Sequence, residues 1–151
     1  MPLAVVDTNV WISALLNPEG YPARVVRALL RGEFELIVTP SLLAELENVS
    51  RRPRLERIGL RIEDATALAE LIRENGYMVA EPSVVPICRD PRDDVFIAAA
   101  ASAMADFLVT RDDDLKSDDS VRDYLAGAGV TVLSVQHFLE QLETAGDSPP
   151  S

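Results

Sequence analysis

The run Leu3-Ala4-Val5-Val6, met at once by Asp7-Thr8-Asn9, constrains this chain more than any other stretch. A short, continuously apolar run beside a helical pattern reads as a strand buried on both faces, the kind found in parallel sheets. The helical pattern is Val10, Ile12, Ala14, Leu15 and Leu16. Asp7 then falls at the carboxyl end of the strand. Open parallel sheets take their ligands at that end, because the strand-to-helix turns converge there.

The rest of the chain repeats the alternation. Asn17-Pro18-Glu19-Gly20 is a turn, and Pro22 suits the opening of a helix striped by Val25, Val26, Leu29 and Leu30 and closed by Gly32. Phe34 to Val38 is a second strand, followed by the capping pair Thr39-Pro40 and a helix with Leu42, Leu43, Leu46 and Val49 on one side. Glu45 lies about 40° from Val49 on that helix, at the margin of the apolar stripe. Arg52-Pro53 interrupts it. A short helical stretch and a longer one over about Glu63 to Asn75 come next, with Gly76 at the close. Tyr77 to Pro86 holds two prolines and reads as an edge strand or loop. A polar connector, Cys88 to Asp94, leads into Val95-Phe96-Ile97 and the alanine run Ala98 to Ala101, a helix small enough to approach a sheet closely. Phe107 to Thr110 is a further buried strand and opens into an acid-laden loop. A helix (about Val121 to Ala126), a strand (Val130 to Leu133) and a last helix (about Gln136 to Glu143) follow. The expectation is one domain over residues 1–144, a three-layer α/β/α sandwich around a central, mostly parallel sheet, with residues 145–151 as a disordered tail.

Composition narrows the chemistry. The 151 residues are 48% hydrophobic, ample for one core. No apolar run approaches the ~18 residues of a membrane span, and the start lacks the pattern of a secretion signal, so a cytoplasmic protein is expected. Cys88 is the single cysteine, which excludes an internal disulfide; with His137 it is too little for a zinc site. Chemistry here must rest on carboxylates. The net charge of -11 argues weakly against a nucleic-acid partner. Its distribution softens the objection: residues 1–62 carry +1 and residues 63–151 carry -12. Arg51, Arg52, Arg54, Arg57 and Arg61 fall within eleven residues, either a local basic surface or an ordinary solvated helix surface.

Four acids stand at strand ends or on helices that start there. Asp7 follows the first strand, Glu45 lies in the second turn after the second, Asp94 opens the alanine helix, and Asp112 follows the strand ending at Thr110. Clustered like charges raise one another's pKa, and a divalent cation removes that objection. Mg²⁺ and Mn²⁺ take oxygen ligands and keep several waters, which suits hydrolysis of a phosphodiester. Each acid also has a plainer reading. Asp7 can be a turn residue, Glu45 a solvated position or a partner for Arg52, and Asp94 a helix cap, as Asp93 or Asp90 can. Asp112 competes with Asp113, Asp114, Asp118 and Asp119 in one loop. Thr8, Asn9 and Thr110 are natural donors around the site, while Trp11 and His137 read as core or surface residues.

Val5-Val6-Asp7-Thr8-Asn9-Val10, Thr39-Pro40-Ser41-Leu42-Leu43-Ala44-Glu45-Leu46, Asp90-Pro91-Arg92-Asp93-Asp94-Val95-Phe96-Ile97-Ala98-Ala99 and Val109-Thr110-Arg111-Asp112-Asp113-Asp114-Leu115 together resemble the four acidic motifs of the PIN domain. They occur in that family's order, and the resemblance covers roughly residues 3–140. Within the family the chain is similar to the VapC-like members of bacterial and archaeal toxin–antitoxin systems. The resemblance implies a Mg²⁺- or Mn²⁺-dependent endoribonuclease with Asp7, Glu45, Asp94 and Asp112 as metal-binding acids and Asp114 as an auxiliary one. It also implies an RNA substrate, a homodimer and a cognate antitoxin. Asn9 stands where many such toxins have Ser, which suits a sister subgroup.

Two rival readings differ in kind. Receiver domains and aspartyl-phosphate phosphatases also place an Asp after a first strand. The phosphatases need a second acid at the position of Asn9, and both need a lysine near a late strand, where only Lys116 is offered. The other rival is a non-catalytic PIN-like binding module.

Overall fold

The computed structural model of this protein describes residues 1–83 and 91–147. The chain opens with β1 (Leu3–Val6), α1 (Thr8–Leu16), α2 (Tyr21–Leu30) and β2 (Glu35–Val38). α3 (Pro40–Ser50), α4 (Pro53–Arg57), α5 (Ile62–Asn75) and β3 (Tyr77–Met78) follow. The second half holds α6 (Pro91–Ser102), β4 (Phe107–Val109), α7 (Asp113–Ser117), α8 (Asp119–Gly127), β5 (Thr131–Leu133) and α9 (Val135–Asp147).

The sheet order is β3-β2-β1-β4-β5, and every pairing is parallel. From β1 the chain winds outward through β2 to β3, then crosses back to lay β4 on the other side of β1. Right-handed crossovers that run in opposite directions put their helices on opposite faces. Two separate cores result. Ala4, Val6, Leu36, Val38 and Val109 pack on one face with residues of α1, α2, α3, α5 and α9. Val5, Ile37 and Leu108 pack on the other with Phe96 and Ile97 of α6 and Val121 and Leu125 of α8. The strict alternation between faces is the period of two expected of strands. This is the three-layer α/β/α sandwich, and its sheet is wholly parallel.

Local chemistry explains the boundaries that matter for function. Thr39 caps α3, its Oγ1 accepting from the Leu42 N–H at 3.2 Å, and Pro40 occupies the first turn. Arg52 is extended (φ -68°, ψ 128°), as a residue before proline must be, and this separates α3 from α4. In α6, Ala99 and Ala100 are fully buried, so the helix lies close on β1 and β4. Phe138 of α9, also fully buried, meets the rings of Phe34 (4.9 Å, edge-on) and Phe107 (5.9 Å), which fastens the last helix to the first face.

Several expectations are corrected. The acid-laden loop after β4 contains a helical turn, α7, because Asp112 caps it: its Oδ1 accepts from the Leu115 N–H at 3.2 Å. The polar connector ends sooner than expected, since Pro91 to Asp94 already belong to α6. The last helix runs through Asp147, past the expected start of the tail at Ala145. Edge strand β3 is only two residues long, and it is exposed. The remainder of the connector (Cys88, Arg89, Asp90), Pro86 and residues 148–151 lie outside the described residues. Among the described residues, no helix is long and apolar enough to cross a membrane.

Candidate active site

The reversal of strand order falls between β1 and β4, and a crevice at the carboxyl ends of those two strands is where such sheets bind ligands. Both strands end there in polar residues. The Asp7 N–H donates to the Val109 carbonyl at 2.9 Å, extending the β1–β4 ladder by one bond. Asp7 is also the N-cap of α1. Its Oδ1 accepts from the Asn9 N–H at 3.1 Å, and its Oδ2 accepts from Thr110 Oγ1 at 2.9 Å. Thr110 is fully buried, and the same Oγ1 accepts from the Asp112 N–H at 3.0 Å. One hydroxyl therefore ties together the two acids that end β1 and β4.

Asp7 is only 3% exposed. Burial raises its pKa above the ordinary carboxylate value. The hydrogen bonds from Asn9 and Thr110 act against that rise, and the charges of Asp112 and Glu45 add to it. Asp112 and Glu45 are thus electrostatic neighbours of Asp7, brought in from β4 and α3. Glu45 is half-buried in the second turn of α3. Asp94 is 2% exposed in the first turn of α6, where the helix dipole favours an acid. α6 packs on β1, β2, β4 and α3, the elements that carry the other three acids. The Asp114 side chain lies outside the described residues.

The neighbouring polar residues divide differently from expectation. Thr110 acts through its side chain. Asn9 acts through its backbone N–H, and its side chain is exposed. Thr8 is buried at the first position of α1.

Two further residues join this rim. Glu81, just past β3, accepts a hydrogen bond from the Ser41 N–H and so braces the start of α3, four residues before Glu45. Arg111 donates to Ser13 Oγ, laying its guanidinium against α1. Glu81 falls inside the stretch Tyr77 to Pro86 that reads as an edge strand or loop, and the strand's short span, Tyr77–Met78, leaves Glu81 just beyond it.

Carboxylates offer only oxygen donors, the chemistry that hard divalent cations take. Among the described residues, no group of three or more His, Cys, Asp or Glu side chains is so arranged as to hold a metal ion. What fits a cation is the electrostatics: a dry carboxylate, held by two donors, on which two further carboxylates act.

Comparison with known proteins gives the family and the fold. A family model described as the PIN domain matches residues 4–114. The uncharacterised protein MJ1680 of Methanocaldococcus jannaschii is 27% identical over 141 residues, covering 92% of this chain and 90% of that protein. VapBC2 of Rickettsia felis, solved bound to a DNA fragment from its promoter, shares the fold with a TM-score of 0.54 at 11% identity, over 87% of this chain and 98% of that one. FitAB bound to the IR36 DNA fragment matches with a TM-score of 0.50 at 17% identity, over 89% and 96% of the two chains. With the family model spanning residues 4–114 and the four acidic motifs in order along it, the chain belongs to the PIN domain family.

Proposed function

We propose that this protein is a divalent-cation-dependent endoribonuclease working at the switch point of its sheet. Asp7, Glu45, Asp94 and Asp112 are the acids that hold Mg²⁺ or Mn²⁺, and Asp114 is an auxiliary one. The observation that carries the reading is Asp7, a buried carboxylate fixed by the Asn9 N–H and the Thr110 hydroxyl under the field of Asp112 and Glu45. That arrangement is unfavourable without a counter-charge. PIN domains are generally metal-dependent nucleases, which supports the same conclusion.

When bound, the cation supplies an activated water and offsets charge on the reacting phosphate. The chain's own residues do the rest. The Asn9 N–H and Thr110 Oγ1 fix the direction of the Asp7 carboxylate. Thr110 also holds the Asp112 backbone, so one hydroxyl sets the spacing of the two acids. Glu45, partly solvent-exposed, is placed where a substrate strand can approach. The acid cluster by itself repels a phosphate, so seating of the reacting phosphate and chemistry both wait on the cation.

The biological setting we infer is that of a toxin with a cognate antitoxin, acting as a homodimer in the cytoplasm. The fold likeness to the VapBC2 and FitAB complexes supports a protein partner. A second reading is a non-catalytic PIN-like binding module.

The test is cleavage of a mixed single-stranded and structured RNA pool with Mn²⁺, Mg²⁺ or EDTA, beside Asp7→Asn. Cleavage that needs the cation and is lost in Asp7→Asn is expected. Wild-type protein that binds Mn²⁺ through Asp7 yet cuts nothing would favour the binding module. Absence of Asp7-dependent metal binding would refute the four-acid site.

A further inference from the structure

Arg51, Arg52, Arg54, Arg57 and Arg61 all lie exposed on the corner where α3 gives way to α4 and α5. Leu55 and Leu60 of the same segment point the other way and are buried in the core beneath α3 and α5. The corner is therefore anchored from inside and basic outside. Among the described residues, Arg61 alone of the five has an ion pair: its Nε lies 3.9 Å from Glu63 Oε2, with the two side chains 73% and 70% exposed. A pair so solvated holds the guanidinium weakly. In a chain of net charge -11 this concentration of exposed, weakly paired arginine runs against the trend of the whole molecule.

The corner also has shape. Arg51 and Arg61 line a groove of about 440 Å³ together with Ile62, and Glu56 and Glu63 complete its rim. A guanidinium both pairs with phosphate and stacks on a flat ring, the two features that repeat along a single nucleic-acid strand. The two carboxylates suit the amino groups of bases and disfavour a ligand that is acidic throughout. An acidic peptide would satisfy the arginines but leave the apolar surface of Ile62 unfilled. We propose that this corner is a single-stranded RNA-binding surface that grips the substrate at a distance from the carboxylates. The proposal rests on the ribonuclease reading above. α3 links the two places directly: from Glu45 to Arg51 is six residues, ~9 Å along the helix axis. A strand of a few nucleotides spans that distance, so the corner adds affinity for longer RNA without touching the reacting phosphate.

The test is fluorescence anisotropy in EDTA, across a salt series, with labelled single-stranded RNA of about four and about twelve nucleotides. The variants are the double substitution Arg51→Gln/Arg61→Gln and a charge-matched control on α2 and its C-cap, Arg24→Gln/Arg31→Gln. Leu55 and Leu60 stay in place, and circular dichroism confirms folding of both. The corner variant is expected to lose about tenfold in affinity for the longer RNA and to show a log–log salt slope shallower by ~1.4, about 0.7 per lost phosphate contact. The control variant should change less than about twofold with RNA of either length. Equal losses in the two variants, or none in the corner variant, would overturn the proposal. So would displacement of the RNA by polyglutamate at equal charge, which would assign the corner to an acidic protein segment. The two readings fail separately. RNA held through the corner but never cut refutes the nuclease alone, and RNA cut but held equally well by the corner variant refutes the corner alone.

Discussion

Replacing Thr110 by valine keeps the shape of a fully buried side chain and removes one oxygen. That oxygen makes two bonds, donating to Asp7 Oδ2 at 2.9 Å and accepting from the Asp112 N–H at 3.0 Å. A bond to an ionised carboxylate contributes ~1.5–3 kcal/mol and a neutral one ~0.5–1.5 kcal/mol, and valine leaves both partners short of water. The added methyl returns up to ~1 kcal/mol of apolar burial. The expected net loss is about 2–3 kcal/mol, or roughly 4–12 °C in Tm for a domain of this size. The sign of its pH dependence is fixed as well. The Thr110 bond lowers the Asp7 pKa, so its removal raises that pKa further. The loss should be full where Asp7 is ionised and should shrink as pH falls through its folded pKa. Urea unfolding in EDTA at about pH 8 and at a pH below the unfolded value of 3.8 reads both effects. A loss below about 0.5 kcal/mol at the higher pH, or an equal loss at both, would refute the role assigned to this hydroxyl.

Asp7→Asn should stabilise the cation-free protein by about 0.5–2 kcal/mol at neutral pH, because relieving a strained functional group usually does so. The raised pKa of Asp7 means the folded state holds a proton that the unfolded chain has released. Wild-type stability should therefore fall as pH rises from the unfolded value of 3.8 to the folded one, and this slope should vanish in Asp7→Asn; thermal melts in EDTA check it. Adding Mn²⁺ should raise the wild-type Tm and leave Asp7→Asn unchanged, as ligand linkage requires. Gly76→Ala should destabilise by about 1–3 kcal/mol in urea melts, since its Cβ would lie 2.6 Å from Val38 Cγ2 and 2.8 Å from the Ile72 carbonyl. An unchanged midpoint would mean that the turn between α5 and β3 is looser than described.

What the sequence by itself determined is whatever rests on neighbours along the chain. The Leu3–Val6 strand, the Thr39-Pro40 start of α3, the Pro53 break and the close-packing alanine helix all follow from periodicity, capping and proline sterics within a few residues. So does the placing of Asp7 at a strand end. The resemblance of the four motifs to the PIN domain was legible for the same reason, since each motif is a local string. The tertiary structure decided what those strings do to one another. Asp7 and Thr110 are 103 residues apart, and they meet because β4 crosses back to pair with β1. No periodicity encodes that choice. Pairing beside β1 forms the crevice and gives the two acids a shared hydroxyl. The same crossing returns α9 to the first face, where Phe138 fastens it, and the β2–β3 pairing carries Glu81 to the start of α3. Asp112, one acid among several in its loop, was singled out as an Asp7 neighbour and helix cap only by the fold. A side chain's type fixes what chemistry it can do. Burial and long-range pairing fix which partners it does it with.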